Sequence, residues 1–169
     1  SVAESAIQAG ADLVNDIWGL KYDSEMGAVI AKYDVACCLM HNKSNTEYNN
    51  FLIDMLSETQ ECVNLARKAG IKDEKIILDP GVGFGKTFEM NLETMNHLEL
   101  FKNLGFPVLL GTSRKSMIGL ALDLPVDHRV EGTLATSVIG VMKGCSFVRV
   151  HDVKENRRVI QMTEAILGC

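Results

Sequence analysis

The sequence lacks the features that mark membrane-bound or nucleic-acid-binding proteins. No apolar run approaches the length that crosses a bilayer, and no segment is of low complexity. Acidic residues outnumber basic ones, giving a net charge of −5, which disfavours general attraction to nucleic acid or to an anionic membrane. With only three prolines and 47% hydrophobic residues, the chain is typical of a globular protein. We expect neither nucleic acid nor membrane as a partner.

Paired cysteines and clustered metal ligands are also lacking. The five cysteines are odd in number and include no Cys-x-x-Cys pair, so neither a disulfide framework nor a zinc site is indicated. A reducing, cytoplasmic compartment is the simplest expectation. Three of the histidines have no carboxylate or cysteine at ligand spacing, namely His41, His97 and His128. We therefore expect no metal site built by this chain.

What the sequence does contain is a repeated alternation of apolar runs and amphipathic segments. The runs are nearly continuous, as expected of parallel strands covered on both faces, and are Ala11–Ile17, Val35–Met40, Lys75–Leu78, Pro107–Leu110 and Phe147–Val150. Helical patterns are predicted over Ser1–Ala9, Asn50–Ala69, Leu92–Leu104, Val130–Met142 and Glu155–Leu167. Strand followed by helix, repeated along the chain, indicates a parallel α/β fold in a single domain over residues 1–169.

The strand spacing favours a barrel. Successive strands start roughly 25 to 40 residues apart, close to one eighth of a (β/α)₈ TIM barrel of ~250 residues. A doubly wound open sheet is the alternative. The first residue is not methionine, and the helical pattern is already under way there, so we expect the chain to begin in the middle of a domain. The prediction is a partial barrel of about five βα units.

Polar residues follow the carboxyl end of every predicted strand. In a barrel these ends all face one common volume, where ligands bind. The residues are, strand by strand, Asn15 and Asp16; Met40 and His41; Asp79; Gly111–Ser116; and Arg149 with His151 and Asp152. Each alone is weak evidence, but their convergence at one rim predicts a binding site.

The most distinctive stretch is Ile76–Lys86, a short strand that ends in a carboxylate and continues into a glycine-rich loop. Glycines let the backbone turn tightly and approach a bound group. Asp79 suits two N–H groups on the guanidine-like edge of a fused heterocycle, and Asn15 could contact neighbouring ring positions. The alternatives are a helix cap or local ion pair for Asp79 and a turn cap for Asn15. We interpret Asp16 as a residue that either supports the site indirectly or caps a turn, rather than as a catalytic residue.

Basic residues cluster in the same part of an otherwise acidic chain. Ser113 and Ser116 add hydroxyl groups near a predicted helix amino terminus, a favourable place for an anion. The cations are Lys86, Arg114, Lys115, Arg149 and His151. Phosphate or pyrophosphate is the ligand we expect, with a solvated basic rim as the alternative, above all for Lys86. Arg129 is interpreted as a structural ion-pair former.

Six blocks of this sequence resemble dihydropteroate synthase, an enzyme family of the folate pathway. They occur in the family's order and cover nearly the whole chain: Val14–Gly19, Leu39–His41, Leu78–Lys86, Leu110–Ser116, Arg129–Ala135 and Val148–Val153. The resemblance implies a (β/α)₈ barrel that joins 6-hydroxymethyl-7,8-dihydropterin pyrophosphate to p-aminobenzoate and releases pyrophosphate. It also implies Mg²⁺ bound with the substrate pyrophosphate.

The resemblance also assigns residues to substrates. The pterin would contact Asn15, Met40, Asp79, Phe84, Gly111, Lys115 and Arg149. Pyrophosphate would contact Arg149 and His151, and p-aminobenzoate would contact Ser113, Arg114, Lys115 and Ser116. The residues given catalytic roles are Lys115, Arg149 and His151.

The family's first three strands, with its metal-anchoring asparagine, have no counterpart in this sequence. We therefore expect strands 4 to 8 of the barrel, little or no activity from this chain alone, no metal ligand within it, and a possible homodimer. Two other functions stay open. One is a pterin-binding methyltransferase, which would not need the Ser113–Ser116 block with Arg149 and His151. The other is a non-catalytic half-barrel that acts as a binding module.

Overall fold

All strand pairings are parallel in the computed structural model, which describes residues 2–168. The strands are β1 (Leu13–Asp16), β2 (Ala36–Met40), β3 (Ile76–Asp79), β4 (Leu109–Leu110) and β5 (Phe147–Val148). The order β1-β2-β3 forms one sheet and β4-β5 a second, and a parallel bridge from Leu78 to Val108 connects them. The predicted parallel α/β fold is confirmed. Ser1 and Cys169, the ends of the predicted domain, lie outside the described residues.

Helices follow or separate the strands. They are α1 (Val2–Gln8), α2 (Met26–Tyr33), α3 (Phe51–Lys68), α4 (Phe88–Asn96), α5 (Glu99–Lys102), α6 (Ser116–Leu122), α7 (Val130–Met142) and α8 (Val153–Leu167). Short 3₁₀ turns cover Asp73–Lys75 and Val126–His128. Within residues 2–168, no helix combines the length and the apolar character that a membrane span requires.

One predicted helix is wrong in its extent. The pattern Leu92–Leu104 divides into α4 and α5, with the break at His97, whose N–H is shared between the carbonyls of Glu93 and Thr94. The next residue, Leu98, is buried, so the break turns an apolar side chain into the core. Helices α2 and α6 were not predicted individually from the sequence.

The two faces of the first sheet differ in chemistry. Asp79 lies opposite Met40, and Asn15 lies opposite Cys38. Because side chains alternate along a strand, these residues share one face of the sheet. The other face carries Leu39 and Leu78, which pack against α3 in the main hydrophobic core. The helices therefore cover the apolar face and leave the polar residues on the opposite one.

The two outer strands leave apolar side chains exposed on that same polar face. Leu13 on β1 is 39% exposed and Phe147 on β5 is 47% exposed. Val108 pairs with Leu78 and so lies on the opposite face. The next residue, Leu109, therefore lies on the polar face, and so does its register partner Phe147. Within the described residues, β1 and β5 each have one unpaired edge.

Candidate ligand-binding site

Asp79 lies at the carboxyl end of β3 and is almost completely buried. The Gly81 N–H donates to its Oδ1 at 2.8 Å, whereas its Oδ2 is buried without a hydrogen-bond partner. Burial raises the pKa of this carboxyl above its usual value, and the Gly81 N–H, Lys115 and Arg149 partly oppose the rise. The structure gives no support to a helix cap or a local ion pair here. An acceptor oxygen is thus held in a desolvated place with no protein donor.

The glycine loop after Asp79 depends on Gly81. This residue has a φ of 67°, and a Cβ there would overlap the carbonyl oxygen of His41. A side chain would therefore meet both an unfavourable backbone conformation and rigid backbone atoms. The close approach places the loop directly against the segment that follows β2.

Side chains from three other parts of the chain bind further peptide groups of this loop. The Tyr48 hydroxyl donates to the Gly85 carbonyl at 2.7 Å, and the Gly83 N–H donates to Asn91 Oδ1 at 2.6 Å. The Lys115 ammonium donates to the Val82 carbonyl. The loop conformation is therefore fixed by long-range contacts as well as by its glycines.

Lys86 is buried beneath this loop, so both sequence interpretations of it are wrong. Its ammonium lies 2.9 Å from His41 Nδ1 and 3.1 Å from the carbonyl oxygens of Gly81 and Phe84. Burial lowers the pKa of Lys86 to about 7. It is neither an exposed anion ligand nor part of a solvated rim, because its charge is directed into the protein.

Beyond the loop, the ends of β4 and β5 enclose a cavity of about 290 Å³. Its lining comprises Gly111, Ser113, Lys115, Arg149, Val150 and His151. At Gly111 a Cβ would lie 3.2 Å from a terminal nitrogen of Arg149, so this glycine gives the guanidinium its room. The structure therefore brings residues predicted for the pterin, pyrophosphate and p-aminobenzoate to one cavity.

Ser113 links the two loops around this cavity. Its Oγ lies 2.9 Å from His151 Nδ1 and accepts the His151 backbone N–H at 3.1 Å. Since these residues follow β4 and β5, the contact fixes the imidazole relative to both strands.

Lys115 joins the Asp79 side of the site to the cavity. Its Nζ lies 4.7 Å from the centre of the Phe84 ring and contacts the loop carbonyl of Val82. Burial lowers the pKa of Lys115, while Asp79 opposes that change and Arg149 reinforces it. These mutual effects show that the carboxylate and both cations share one electrostatic environment.

Two arginines are engaged by protein groups. Arg114 pairs with Asp152 through two hydrogen bonds of 3.2 and 2.7 Å and is absent from the cavity lining. Arg129 donates to the carbonyls of Leu124, Arg114 and Lys115. Arg129 is structural, as expected, but the predicted ion pair is wrong because its acceptors are carbonyl oxygens.

The remaining predicted residues lie on the site's edges. Met40 is buried beside Gly81, and Asn15 is exposed on β1, on the same face as Asp79. Ser116 is the exposed first residue of α6. Asp16 caps the turn after β1 by accepting the N–H groups of Trp18 at 3.0 Å and Leu20 at 2.7 Å, which confirms its capping role.

The donor set does not fit a protein-bound metal. Across residues 2–168 no group of three or more His, Cys, Asp or Glu side chains could hold a metal ion. The cavity wall carries lysine, arginine and hydroxyl groups, whereas Mg²⁺ prefers carboxylate and other oxygen ligands. The prediction of Mg²⁺ with the substrate pyrophosphate stays a prediction.

Sequence reasoning missed Glu58 and Asn91, which support the site, and it placed Asp152 at the rim without predicting its pairing with Arg114. Glu58 lies 2.8 Å from His41 Nε2, Asn91 holds Gly83, and Asp152 holds Arg114. Asn91 gives a weak signal, being a polar residue that lies four positions after the helix cap Thr87. Nothing in the local sequence of Glu58 indicates its partner in a different element.

Comparison with known proteins identifies the family of this chain. A family model described as "Pterin binding enzyme" matches residues 1–151. The chain is 65% identical over 167 residues to a dihydropteroate synthase of Clostridium beijerinckii, covering 98% of this chain and 62% of that protein. It is 53% identical over 168 residues to a dihydropteroate synthase of Bacillus subtilis, covering 99% and 59% of the two.

A solved structure gives the same result. The crystal structure of a Clostridium difficile dihydropteroate synthase, determined in the presence of pteroic acid, superimposes with a TM-score of 0.96 at 48% sequence identity. The match covers 98% of this chain and 63% of that one. The resemblance seen in the sequence is confirmed, and with it the TIM-barrel family of the fold. The chain spans about three fifths of the length of the relatives it matches, 62% and 59% for the two above.

The close contact at Gly81 predicts a large stability difference between two glycine substitutions. Gly81→Ala should lower the free energy of unfolding by more than about 3 kcal/mol, because a strained φ is combined with a backbone overlap. Gly10→Ala is the matched control, since its φ is 104° but nothing lies within 4 Å of the added methyl. It should cost only about 1–2 kcal/mol. Urea unfolding of both variants checks this, and equal losses would contradict it.

The raised pKa of Asp79 predicts that this carboxylate destabilises the fold. Its folded pKa lies above its usual 3.8, so the folded state holds the proton more tightly, and stability falls as pH rises through that folded value. Asp79→Asn should therefore unfold at higher urea concentration than wild type near neutral pH. The difference should shrink as the pH approaches the usual pKa. Urea unfolding over a pH series measures it, and a less stable Asp79→Asn at neutral pH would refute the assignment.

Proposed function

Because the chain belongs to the family of pterin-binding enzymes, we propose that its site serves the synthesis of 7,8-dihydropteroate. The reaction condenses 6-hydroxymethyl-7,8-dihydropterin pyrophosphate with p-aminobenzoate and releases pyrophosphate. The observation that carries the proposal is the buried, unpaired Oδ2 of Asp79, which shares its surroundings with Lys115 and Arg149. A carboxylate oxygen that lacks a donor, close to two cations, fits a ligand with N–H groups at one end and phosphates at the other.

The pterin head is assigned to the Asp79 side. A carboxylate accepts two N–H groups from a guanidine-like edge, and such charge-assisted bonds are strong in a desolvated place. Met40 and Phe84 supply apolar surface for the flat ring, while Asn15 lies on the same sheet face with an amide that can read ring positions. Because Oδ2 is closed to solvent, a neighbouring side chain must move when the ligand enters. Lys115, long and flexible, is the side chain we assign to this movement.

The pyrophosphate is assigned to Arg149 and His151. When the bond between the pterin methylene carbon and oxygen breaks, the pyrophosphate leaves with the electron pair and gains negative charge. Cations already in place stabilise that charge without reorganisation. Lys115 and Arg149 also contact the pterin in this scheme, and Gly111 gives the guanidinium its place. Lys115, Arg149 and His151 are the proposed catalytic residues.

The p-aminobenzoate is assigned to the loop Ser113–Ser116, with Lys115 at its centre. Its amine attacks the methylene carbon, forms the new C–N bond and loses one proton, so the protein needs chiefly to orient it. Arg114 keeps its predicted place beside this substrate, although its guanidinium is paired with Asp152. Ser116 offers an exposed hydroxyl at the start of α6.

We propose that Mg²⁺ binds together with the pyrophosphate substrate and not at a site built by this chain. Pyrophosphate brings its own oxygen ligands, whereas the side chains of the cavity do not form a coordination sphere. No catalytic step above depends on the ion.

We propose that the five strands correspond to strands 4 to 8 of an eight-stranded barrel, within a single domain over residues 1–169. The five parallel strands in chain order, the two unpaired edges and the exposed Leu13 and Phe147 support this. Little turnover is expected from the chain alone, because the loops of the other strands would complete the substrate sites. A homodimer would cover part of the exposed apolar surface.

No observation favours a pterin-binding methyltransferase. Ser113, Lys115, Arg149 and His151 line one cavity, and a methyl transfer would not need that cationic group. Pterin affinity separates the proposed enzyme from a non-catalytic half-barrel, because only the proposed enzyme requires the Asp79 site to bind a pterin.

Titration with 6-hydroxymethylpterin tests the proposed function. Isothermal calorimetry should show binding by the wild-type chain, and Asp79→Ala should abolish it, because the ring would lose its buried carboxylate partner. Asp127→Ala is the matched control, since that carboxylate is 69% exposed in the 3₁₀ turn Val126–His128 and its loss should leave affinity unchanged. Unchanged affinity in Asp79→Ala, or no binding by wild type, would count against the assignment.

A further inference from the structure

A chain of three titratable groups lies beneath the glycine loop, with His41 and Lys86 buried and Glu58 24% exposed and also paired with Lys43. Glu58 Oε2 is 2.8 Å from His41 Nε2, and His41 Nδ1 is 2.9 Å from the Lys86 ammonium. His41 is 1% exposed and Lys86 is 9% exposed. The chain runs from α3, through the residue after β2, to the residue that ends the glycine loop. The mechanism above uses none of these groups.

The hydrogen bonds define where the protons lie. An ionised carboxylate only accepts, so His41 Nε2 must carry the proton that it donates to Glu58. His41 Nδ1 is then an acceptor, and Lys86 must donate to it. Burial together with Lys86 lowers the pKa of His41 to about 4, in keeping with a neutral ring. The three N–H groups of the ammonium thus meet three acceptors: His41 Nδ1 and the carbonyls of Gly81 and Phe84.

We infer that Lys86 is a positioning residue for the ligand site: its ammonium, oriented by His41 and Glu58, holds the loop Gly81–Gly85 in the conformation that presents Asp79 and Phe84 to the pterin. This inference rests on the proposed function. Lys86 binds both ends of one turn, which is also closed by the Phe84 N–H donating to the Gly81 carbonyl at 3.0 Å. Gly81 in turn donates to Asp79 Oδ1. If this turn loosened, the Gly81 N–H that donates to Asp79 and the Phe84 ring would both be displaced.

The charge of Lys86 also acts on the carboxylate directly. Lys86 favours the ionised form of Asp79, and Asp79 and Glu58 favour the charged form of Lys86. The groups that face this assembly from neighbouring elements are Lys21, Lys43, Lys115 and Arg149. A neutral amine keeps only two N–H groups for its three acceptors, so deprotonation of Lys86 leaves one of them without its donor. The support that Lys86 gives to the loop should therefore weaken as pH rises.

Substitution of Lys86 by methionine tests the positioning role. In Lys86→Met, affinity for 6-hydroxymethylpterin should fall roughly tenfold or more, and the amides of residues 81–85 should exchange with deuterium at least about tenfold faster without ligand. Lys154→Met removes an exposed lysine of α8 and controls for the lost charge. Ser137→Ala breaks the remote buried hydrogen bond to Asn156 and controls for lost stability. If Lys86→Met matches either control in pterin affinity and in the deuterium exchange of residues 81–85, the inference is overturned.

Glu58→Gln provides a second test that keeps the hydrogen bond from His41. The amide oxygen still accepts, but the negative charge that helps Lys86 retain its proton is lost. Pterin affinity should therefore decline at lower pH in Glu58→Gln than in wild type, whereas Glu61→Gln, an exposed change on the same helix, should follow wild type. Protonation of the pterin itself affects all variants equally, so it does not alter the difference between their pH profiles. If Lys86→Met does not fold, this comparison decides the inference, and coincident profiles for the two variants overturn it.

The two proposals fail in different ways. If the wild-type chain binds no pterin, the proposed function is wrong, and deuterium exchange of the ligand-free loop still decides whether Lys86 holds it. If wild type binds and Lys86→Met binds and exchanges like the controls, only the positioning role is wrong.

Discussion

The site depends on one unfavourable interaction, the burial of the Asp79 carboxylate with one oxygen unpaired. Removing a carboxylate from water without giving it donors is costly, and the usual response of such a group is to keep its proton. Four features oppose that response: the Gly81 N–H on Oδ1, and the nearby charges of Lys115, Arg149 and Lys86. The glycine loop, the parallel register and the ends of β4 and β5 bring these groups to the carboxylate. A ligand that supplies the missing donors relieves the cost.

The two halves of the site differ in their exposure to water. Asp79 and Met40 are buried, whereas Arg149 and His151 are exposed at the end of β5. A neutral, flat heterocycle gains most from hydrogen bonds made in a desolvated place, where charge-assisted bonds are strong. A multiply charged pyrophosphate would be expensive to desolvate, so an exposed cationic rim suits both its binding and its release. The division of the proposed substrate between the two halves follows from this difference.

The sequence carries enough information for the strand order and the site's outline. Continuous apolar runs identified parallel strands, and the polar residue after each run placed Asp79, Lys115 and Arg149 at a common edge. Lys86 was misplaced because a lysine that ends a glycine-rich loop looks the same whether it faces a ligand or folds beneath the loop. That choice is made by His41 and Glu58, which lie 45 and 28 positions away in other elements. The ion pair of Arg114 was not predicted for the same reason, since its partner Asp152 lies 38 residues further along the chain. Contacts of this range are set by packing and leave no local pattern.

The central claim concerns the unpaired oxygen of Asp79, so its protonation reports on it most directly. The measurement is the pKa of the Asp79 carboxyl by carbon-13 NMR of the wild-type chain, with and without 6-hydroxymethylpterin, with Asp79→Asn used to assign the signal. Without ligand the pKa should lie above 3.8, and bound pterin should lower it, because ring N–H groups stabilise the carboxylate. A carboxyl whose pKa is unchanged by saturating pterin would contradict the account.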